Sequence, residues 1–206
     1  MTLDQIAIEC GTDKASTGHN YTPIYERHIG HLRNESFSLL EVGVGGYEHP
    51  DRGGQSIRMW ERYFQNADIH CADIHPKQLN FERAKFFPSG QNSVELCRYA
   101  HSIKPLVIVD DASHVNDLTI QTFKNLWPTL APGGFYIIED LHTAYWPEEY
   151  GGQNDTSTSH RSVMGFLFRL QHDLNAEWTI PASKRVFPDI ESITTYKSIA
   201  IIKKHG

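Results

Sequence analysis

The sequence predicts an open α/β fold: a mostly parallel, seven-stranded sheet with helices on both faces and a short helical cap ahead of the first strand. Two observations carry that reading. From Phe37 onward, short runs of β-branched and aliphatic residues alternate with longer segments of helical period, the pattern of a sheet flanked by helices. Breakers such as Ala131-Pro132-Gly133-Gly134 punctuate the alternation where an element must stop.

The expected elements follow in order. Residues before Phe37 hold two short helical patterns, separated by Gly11 to Tyr21, with no strand of their own; they form the cap. Five strands are expected at Ser38 to Val42, Ala67 to Ala72, Val94 to Cys97, Leu106 to Val109 and Gly134 to Ile138. The clearest helices are Ser56 to Phe64 and Asp117 to Leu130. A polar, glycine-containing loop runs from Leu141 to Thr158, and the amphipathic segment Ser162 to Leu174 places Val163, Phe166, Leu167 and Leu170 on one face. Two last strands, Lys184 to Pro188 and Ile193 to Lys203, close the sheet. The 206 residues fit one domain, since single cores usually stop growing above roughly 250 residues.

Composition narrows the function classes. With 19 basic against 25 acidic residues and no run of Lys or Arg, nucleic acid is not an expected partner. No stretch approaches the ~20 apolar residues of a membrane helix, and Met1 to Gly11 carries acidic residues in place of a secretion signal, so a cytoplasmic protein with no membrane partner is expected. Cys10, Cys71 and Cys97 are odd in number and widely spaced, which argues against a disulfide framework or a thiolate metal site. The twelve histidines contain no His-Glu-x-x-His pair, and most are expected to face solvent.

In open parallel sheets the binding crevice lies at the carboxyl ends of the strands. The first strand runs into Glu41-Val42-Gly43-Val44-Gly45-Gly46, where glycines allow a sharp turn and close approach to a ligand. A dinucleotide fingerprint would need a third glycine where Glu48 stands, and a carboxylate there would repel pyrophosphate. An acid before the glycines suits S-adenosylmethionine better, because that cofactor carries an ammonium and a sulfonium. Asp73, ending the second strand, is the expected acceptor for the ribose hydroxyls, and Glu41, Gly43, Gly45, Ser56 and Asp73 are the expected cofactor residues.

The fourth strand runs into Asp110-Asp111-Ala112-Ser113-His114 and the fifth into Glu139-Asp140. If these strands are neighbours, their ends lie ~4.8 Å apart and gather three or four carboxylates around one point. Such crowding calls for a cation, and hard oxygens without thiolate select magnesium. A Lewis acid on an alcohol oxygen eases loss of its proton, and His114, three residues after Asp111 on the first turn of a helix, would be the base. His142 competes for that role. Thr143, Tyr145, Trp146 and Tyr150 are suited to covering a sugar ring or an aromatic acceptor.

Taken together these blocks resemble the macrocin and mycinamicin sugar O-methyltransferase family, whose catalytic domains also resemble cephalosporin-cluster methyltransferase-like proteins. The matching blocks are Gly11-Thr12-Asp13-Lys14, His19 with Tyr21, Leu40 through Tyr47, Gly53-Gly54 through Ser56-Ile57-Arg58-Met59-Trp60, and Asp73. Further along they are Asp110-Asp111 with Ser113-His114, Pro132-Gly133-Gly134, Ile138-Glu139-Asp140 and Tyr150-Gly151-Gly152. The resemblance implies a Rossmann-like class I methyltransferase fold and methyl transfer to a hydroxyl of a glycoside or similar polyol. It implies that Asp111, Glu139 and Asp140 ligate magnesium and that His114 is the base, and Asp110 is grouped with the cofactor residues. Ala112 stands where the family usually has Gly. Ser93 stands where an Asp is more usual, at the place expected to meet the adenine amino group. Two other readings stay open: a metal-dependent hydroxylase or hydrolase using the same carboxylates, and a cofactor-binding module without catalysis. A homo-oligomer is compatible with the apolar face of Ser162 to Leu174.

Overall fold

The computed structural model describes residues 1–152 and 161–206. Its contacts group the chain into two compact units, Met1–Pro105 and Leu106–Gly206. The seven strands follow the order β3-β2-β1-β4-β5-β7-β6.

In the first unit two helices precede any strand, as expected. Helix α1 (Leu3–Cys10) opens with a capping box in which Thr2 and Gln5 satisfy each other's backbone groups, and it closes on Gly11 at φ 71°. Helix α2 (Thr22–Ile29) begins with proline in its first turn. Strand β1 (Ser38–Val42) is followed by α3 (Gln55–Tyr63) and by β2 (Asp68–Asp73), which pairs parallel to β1 from Ser38↔Asp68 to Val42↔Ala72. Strand β3 (Lys85–Pro88) adds a parallel edge to β2, and α4 (Val94–Ile103) ends the unit.

In the second unit β4 (Val107–Asp110), α5 (Asn116–Leu126) and β5 (Phe135–Ile138) form a βαβ unit whose two strands pair in parallel, Val107↔Phe135 to Asp110↔Ile138. All residues of β4 and β5 are buried, as suits strands covered on both faces, and Asp110 at the end of β4 is the one charged residue among them. Helix α6 (Val163–Asp173) is capped by the Ser162 hydroxyl, and the buried Val163, Phe166, Leu167 and Leu170 are the face read from the sequence. Strands β6 (Ile190–Tyr196) and β7 (Ile199–Lys204) form a hairpin, β7 running antiparallel to β5. The sheet is therefore mixed, parallel from β3 through β5 wherever pairing is described and antiparallel at its β7-β6 end.

Three expected strands need correction. Val94 to Cys97 is the first turn of α4, and the third strand is Lys85–Pro88. A strand would have put Val94 and Leu96 on one face; here Val94 is 58% exposed while Leu96 and Ala100, one helical turn apart, are buried, and the Ser93 hydroxyl accepts the Leu96 N–H. Lys184 to Pro188 is not a strand, because the Asp173 carboxylate accepts the N–H groups of Val186 and Phe187 and takes them away from any ladder. Ile193 to Lys203 divides into two strands at Lys197-Ser198, where Ser198 adopts φ 66°. The helix expected from Asp117 to Leu130 stops at Leu126, and a 3₁₀ turn over Trp127–Thr129 continues it, set by Pro128. The last part of the expected loop, through Thr158, lies outside the described residues.

No helix among the described residues is long and apolar enough to cross a membrane. All three cysteines are free thiols, and Cys71 is fully buried in β2. Burial, followed by the charges of Glu41, Glu61 and Asp73, pushes its thiol far above the ordinary range. Iodoacetamide at pH 8 should label Cys10 and Cys97 on the folded chain and reach Cys71 only in denaturant; peptide mass spectrometry showing equal labelling of all three would contradict the burial.

Candidate active site

The first unit carries the glycine loop. Gly43, Gly45, Gly46, Gly53 and Gly54 all have positive φ, between 73° and 102°. The requirement is sharpest at Gly53, where a Cβ would lie 2.4 Å from the Gly45 carbonyl oxygen and 2.5 Å from that of Val44. Gly45 has open space on its Cβ side. Asp73 ends β2 beside this loop: its Oδ2 accepts the Val44 N–H at 2.9 Å and its Oδ1 the His75 N–H at 2.8 Å. The acid expected for the ribose is thus tied to the glycine turn while staying partly accessible.

Glu41 is placed differently from a ligand-facing acid. It is wholly buried, its Oε1 accepts the Ser56 hydroxyl at 2.5 Å, and its Oε2 accepts the Trp60 indole N–H. Lys14, 1% exposed, lies 3.8 Å from Oε1. Ser56 is accordingly turned toward Glu41 inside the unit. Ser93 caps α4, with its hydroxyl 2.5 Å from that of Ser89.

In the second unit the tips of β4 and β5 are neighbours, as the sequence argument required. Asp111, His114 and Asp140 offer donor atoms that all lie within 4.8 Å of one another. His114 Nε2 is 3.7 Å from Asp111 Oδ1 and 3.6 Å from Asp140 Oδ2, and each side chain is about one-fifth exposed. Two carboxylates and an imidazole at this separation suit a hard divalent ion or a carboxylate-flanked base. Glu139, next to Asp140, is buried and stands outside that group of three; its N–H donates to the Asp110 carbonyl at 3.1 Å. Asp110 lies deeper, 2% exposed, accepting the Tyr136 hydroxyl at 3.0 Å. Burial pushes its carboxyl up to about 7, with the Tyr136 hydrogen bond opposing and the Asp111 charge reinforcing the rise.

His114 does not sit on the first turn of a helix, because α5 begins only at Asn116. The imidazole reaches the acids because His114 adopts φ 56°, and Asp140 is likewise left-handed at φ 53°. Left-handed backbone at non-glycine residues costs of order 1 kcal/mol each and gathers at functional sites. Thr143 stabilises both turns: its hydroxyl donates to the Asp140 carbonyl at 2.7 Å and lies 3.2 Å from that of His114. His142, the rival base, has Nδ1 at 2.5 Å from the Ser198 hydroxyl and 4.0 Å from Asp140 Oδ1. Its ring meets Trp146 edge-on at 5.0 Å, and Trp146 meets Tyr150 at 5.2 Å, so the aromatic residues of the loop form a row beside the acids.

Sequence reasoning gave no role to Lys14, Asn116, Tyr136 or Ser198. Asn116 is 1% exposed and uses both ends of its amide, donating to the carbonyls of Ala144 (3.2 Å) and Tyr150 (2.8 Å) and accepting the Val163 N–H (2.7 Å). At the start of a helix it reads as a capping residue, and only the tertiary structure reveals a brace between the loop after β5 and the start of α6.

No family model matches the chain. The fold is that of a class I methyltransferase: MycE methyltransferase from the mycinamycin biosynthetic pathway, solved in complex with Mg and SAH, matches with a TM-score of 0.93 at 32% identity over 100% of this chain and 55% of that one. The chain is related to sugar O-methyltransferases of the macrocin and mycinamicin type. It is 36% identical, over 98% of its length and 53% of the relative's, to 8-demethyl-8-(2-methoxy-alpha-L-rhamnosyl)-tetracenomycin-C 3'-O-methyltransferase of Streptomyces olivaceus. It is 35% identical, over 98% of its length and 52% of the relative's, to mycinamicin VI 2''-O-methyltransferase of Micromonospora griseorubida. The chain spans about half the length of the curated relatives it matches.

Replacing Asn116 by Ala would strand two carbonyls and an N–H in a buried setting. Urea unfolding should show a loss of about 2–3 kcal/mol, whereas a change below about 0.5 kcal/mol, the ordinary surface value, would mean that the brace carries no load.

Proposed function

We propose that the chain is a methyltransferase domain that uses S-adenosylmethionine and magnesium to methylate a hydroxyl of a glycoside or similar small polyol. The observation that carries this is the cluster of Asp111, His114 and Asp140 at the paired tips of β4 and β5. The relatives' names, which specify sugar hydroxyls of natural products, and a structural neighbour holding Mg, SAH and mycinamycin VI support the same reading. We take residues 1–206 as one such domain, with 1–36 as its cap, located in the cytoplasm and acting on a small molecule. A homo-oligomer is compatible with this reading, and sedimentation of the purified chain would reveal one.

Each residue has a part. The glycines at 43 and 45 keep side chains out of the cofactor's way, and Asp73 presents carboxylate oxygens to its ribose hydroxyls. Glu41 and Ser56 hold the loop's strand and helix together. Ser93, which caps α4, and the buried Asp110 are the further cofactor residues that the family resemblance suggests. Asp111, Asp140 and the adjoining Glu139 would hold magnesium, which as a Lewis acid supplies a lower barrier to ionising an alcohol. His114 accepts the hydroxyl proton at Nε2, flanked by two carboxylates that stabilise the resulting imidazolium. S-adenosylmethionine would supply the methyl group: the hydroxyl oxygen would bond the methyl carbon as the carbon–sulfur bond breaks, with S-adenosylhomocysteine leaving. Trp146 and Tyr150 offer ring faces to the acceptor.

Calorimetry should detect S-adenosylhomocysteine binding at micromolar concentration, and no heat at millimolar ligand would overturn the cofactor assignment. Turnover without any methyl donor would favour the hydroxylase or hydrolase reading, and binding with no acceptor in a broad glycoside screen would favour a silent module.

The metal roles separate by manganese titration followed by electron paramagnetic resonance. Asp111→Asn, Asp140→Asn and Glu139→Gln should each weaken the ion by about tenfold or more. His114→Ala should leave ion affinity nearly unchanged while lowering kcat about 10²- to 10⁴-fold. Loss of ion binding in His114→Ala would make the histidine a ligand, and full activity in EDTA would remove the metal.

A further inference from the structure

The acid that precedes the glycine loop is not spent on a ligand, and its partner comes from the far N-terminal segment of the same unit. Glu41 is 0% exposed and Lys14 is 1% exposed, with Nζ 3.8 Å from Oε1. A carboxylate so completely removed from water needs a counter-charge and several donors, because desolvating an ion costs more than any single contact returns. It has them: the Lys14 ammonium, the Ser56 hydroxyl and the Trp60 indole.

The position of those donors matters. Glu41 lies on β1 two residues before Gly43, and Ser56 is the second residue of α3, two beyond Gly54. One carboxylate therefore joins the two ends of the Gly43–Gly54 loop, and Trp60 adds the next turn of α3 to the same anchor. Lys14 is itself held rigidly, its carbonyl accepting the N–H groups of Tyr21 (2.9 Å) and Thr22 (3.2 Å) at the start of α2. The Gly11-Thr12-Asp13-Lys14 block, which the chemistry at the strand tips leaves unused, acquires a purpose by this geometry.

We infer that Lys14 is a positioning residue for the cofactor loop: through Glu41 it fixes the spacing between the end of β1 and the start of α3, and so sets affinity for the adenosyl cofactor without touching it. The inference rests on the cofactor reading above. With Lys14 replaced, Glu41 must protonate, recruit water or turn, and each of these weakens or re-aims its bonds to Ser56 and Trp60 and loosens the loop.

The test compares wild type, Lys14→Met, Lys14→Arg and the double variant Lys14→Met/Glu41→Gln by three measurements: calorimetry with S-adenosylhomocysteine, manganese binding at the acidic cluster, and hydrogen exchange of the apo chain across Gly43–Gly54. Lys14→Met should weaken S-adenosylhomocysteine about tenfold or more and speed exchange in that loop, with manganese affinity unchanged; Lys14→Arg, which keeps the charge, should recover most of the loss. If Lys14→Met does not fold, the double variant, which leaves no unpaired charge, should fold and show the same selective loss. Unchanged ligand affinity in either folded variant, or ligand and manganese affinities falling together, would overturn the inference. Absence of S-adenosylhomocysteine binding by the wild type would instead overturn the cofactor reading, while the exchange measurement still reports whether Lys14 orders the loop.

Discussion

Like charge at two adjoining strand ends is the constraint around which the second unit is arranged. Parallel pairing of β4 with β5 sets Asp110 against Ile138, so Asp110-Asp111 and Glu139-Asp140 emerge side by side. Four carboxylates cannot all be ionised at such spacing without compensation. The protein treats them unequally. Asp110 is buried against Tyr136 and pushed toward its neutral form, whereas Asp111 and Asp140 stay partly exposed and turn toward His114. That turn needs left-handed backbone at both His114 and Asp140, and the single Thr143 hydroxyl serves the carbonyls of both. The strain and the charge crowding have one geometric outcome, a compact set of hard donors facing a common point.

The first unit solves a comparable problem in the opposite way. Glu41 carries a carboxyl group like Asp111, but it is withdrawn from solvent and matched inside the fold by Lys14, Ser56 and Trp60. A carboxylate so compensated has little left to offer a ligand, and its value is architectural: it couples a strand end to a helix start across a loop that glycine leaves intrinsically loose. Two acids that look equivalent in the sequence, each at the end of a strand in a parallel sheet, therefore take different roles because of the charges brought to them from distant parts of the chain.

That difference marks how far the sequence could be read. Strands β1, β2, β4 and β5 were legible because they are short apolar runs between turn residues, and the pairing of β4 with β5 needed only the tendency of consecutive strands to be neighbours. Edge elements were not. Lys85–Pro88 is a half-exposed strand with little apolar pattern, and Val94-Glu95-Leu96-Cys97 alternates like a strand while lying in a helix whose cap, Ser93, outweighs the alternation. In the second unit, residue types at strand ends pointed to Asp111, His114 and Asp140, whose donor atoms do lie within 4.8 Å of one another. The backbone conformation of His114 and the burial of Glu41 were beyond reach, since both follow from contacts with residues far away in the chain, Thr143 for one and Lys14 for the other.

The loop after β5 extends the same logic. It is held from two directions: Asn116, two residues past His114, binds the carbonyls of Ala144 and Tyr150, while Ser198 in the β6–β7 turn accepts or donates at His142 and its carbonyl receives the Leu141 N–H. These are backbone and small polar contacts, indifferent to the side chains at Trp146 and Tyr150 that the loop presents outward. Substitution at the aromatic positions can thus alter what the loop covers without disturbing Asp140 or His114, because the fixings and the presented surface are different atoms of the same segment. A fold with this separation can keep one acid–imidazole arrangement while its exposed aromatic surface diverges, which accords with relatives that are about a third identical to this chain over the aligned length and are named for different positions on different sugars.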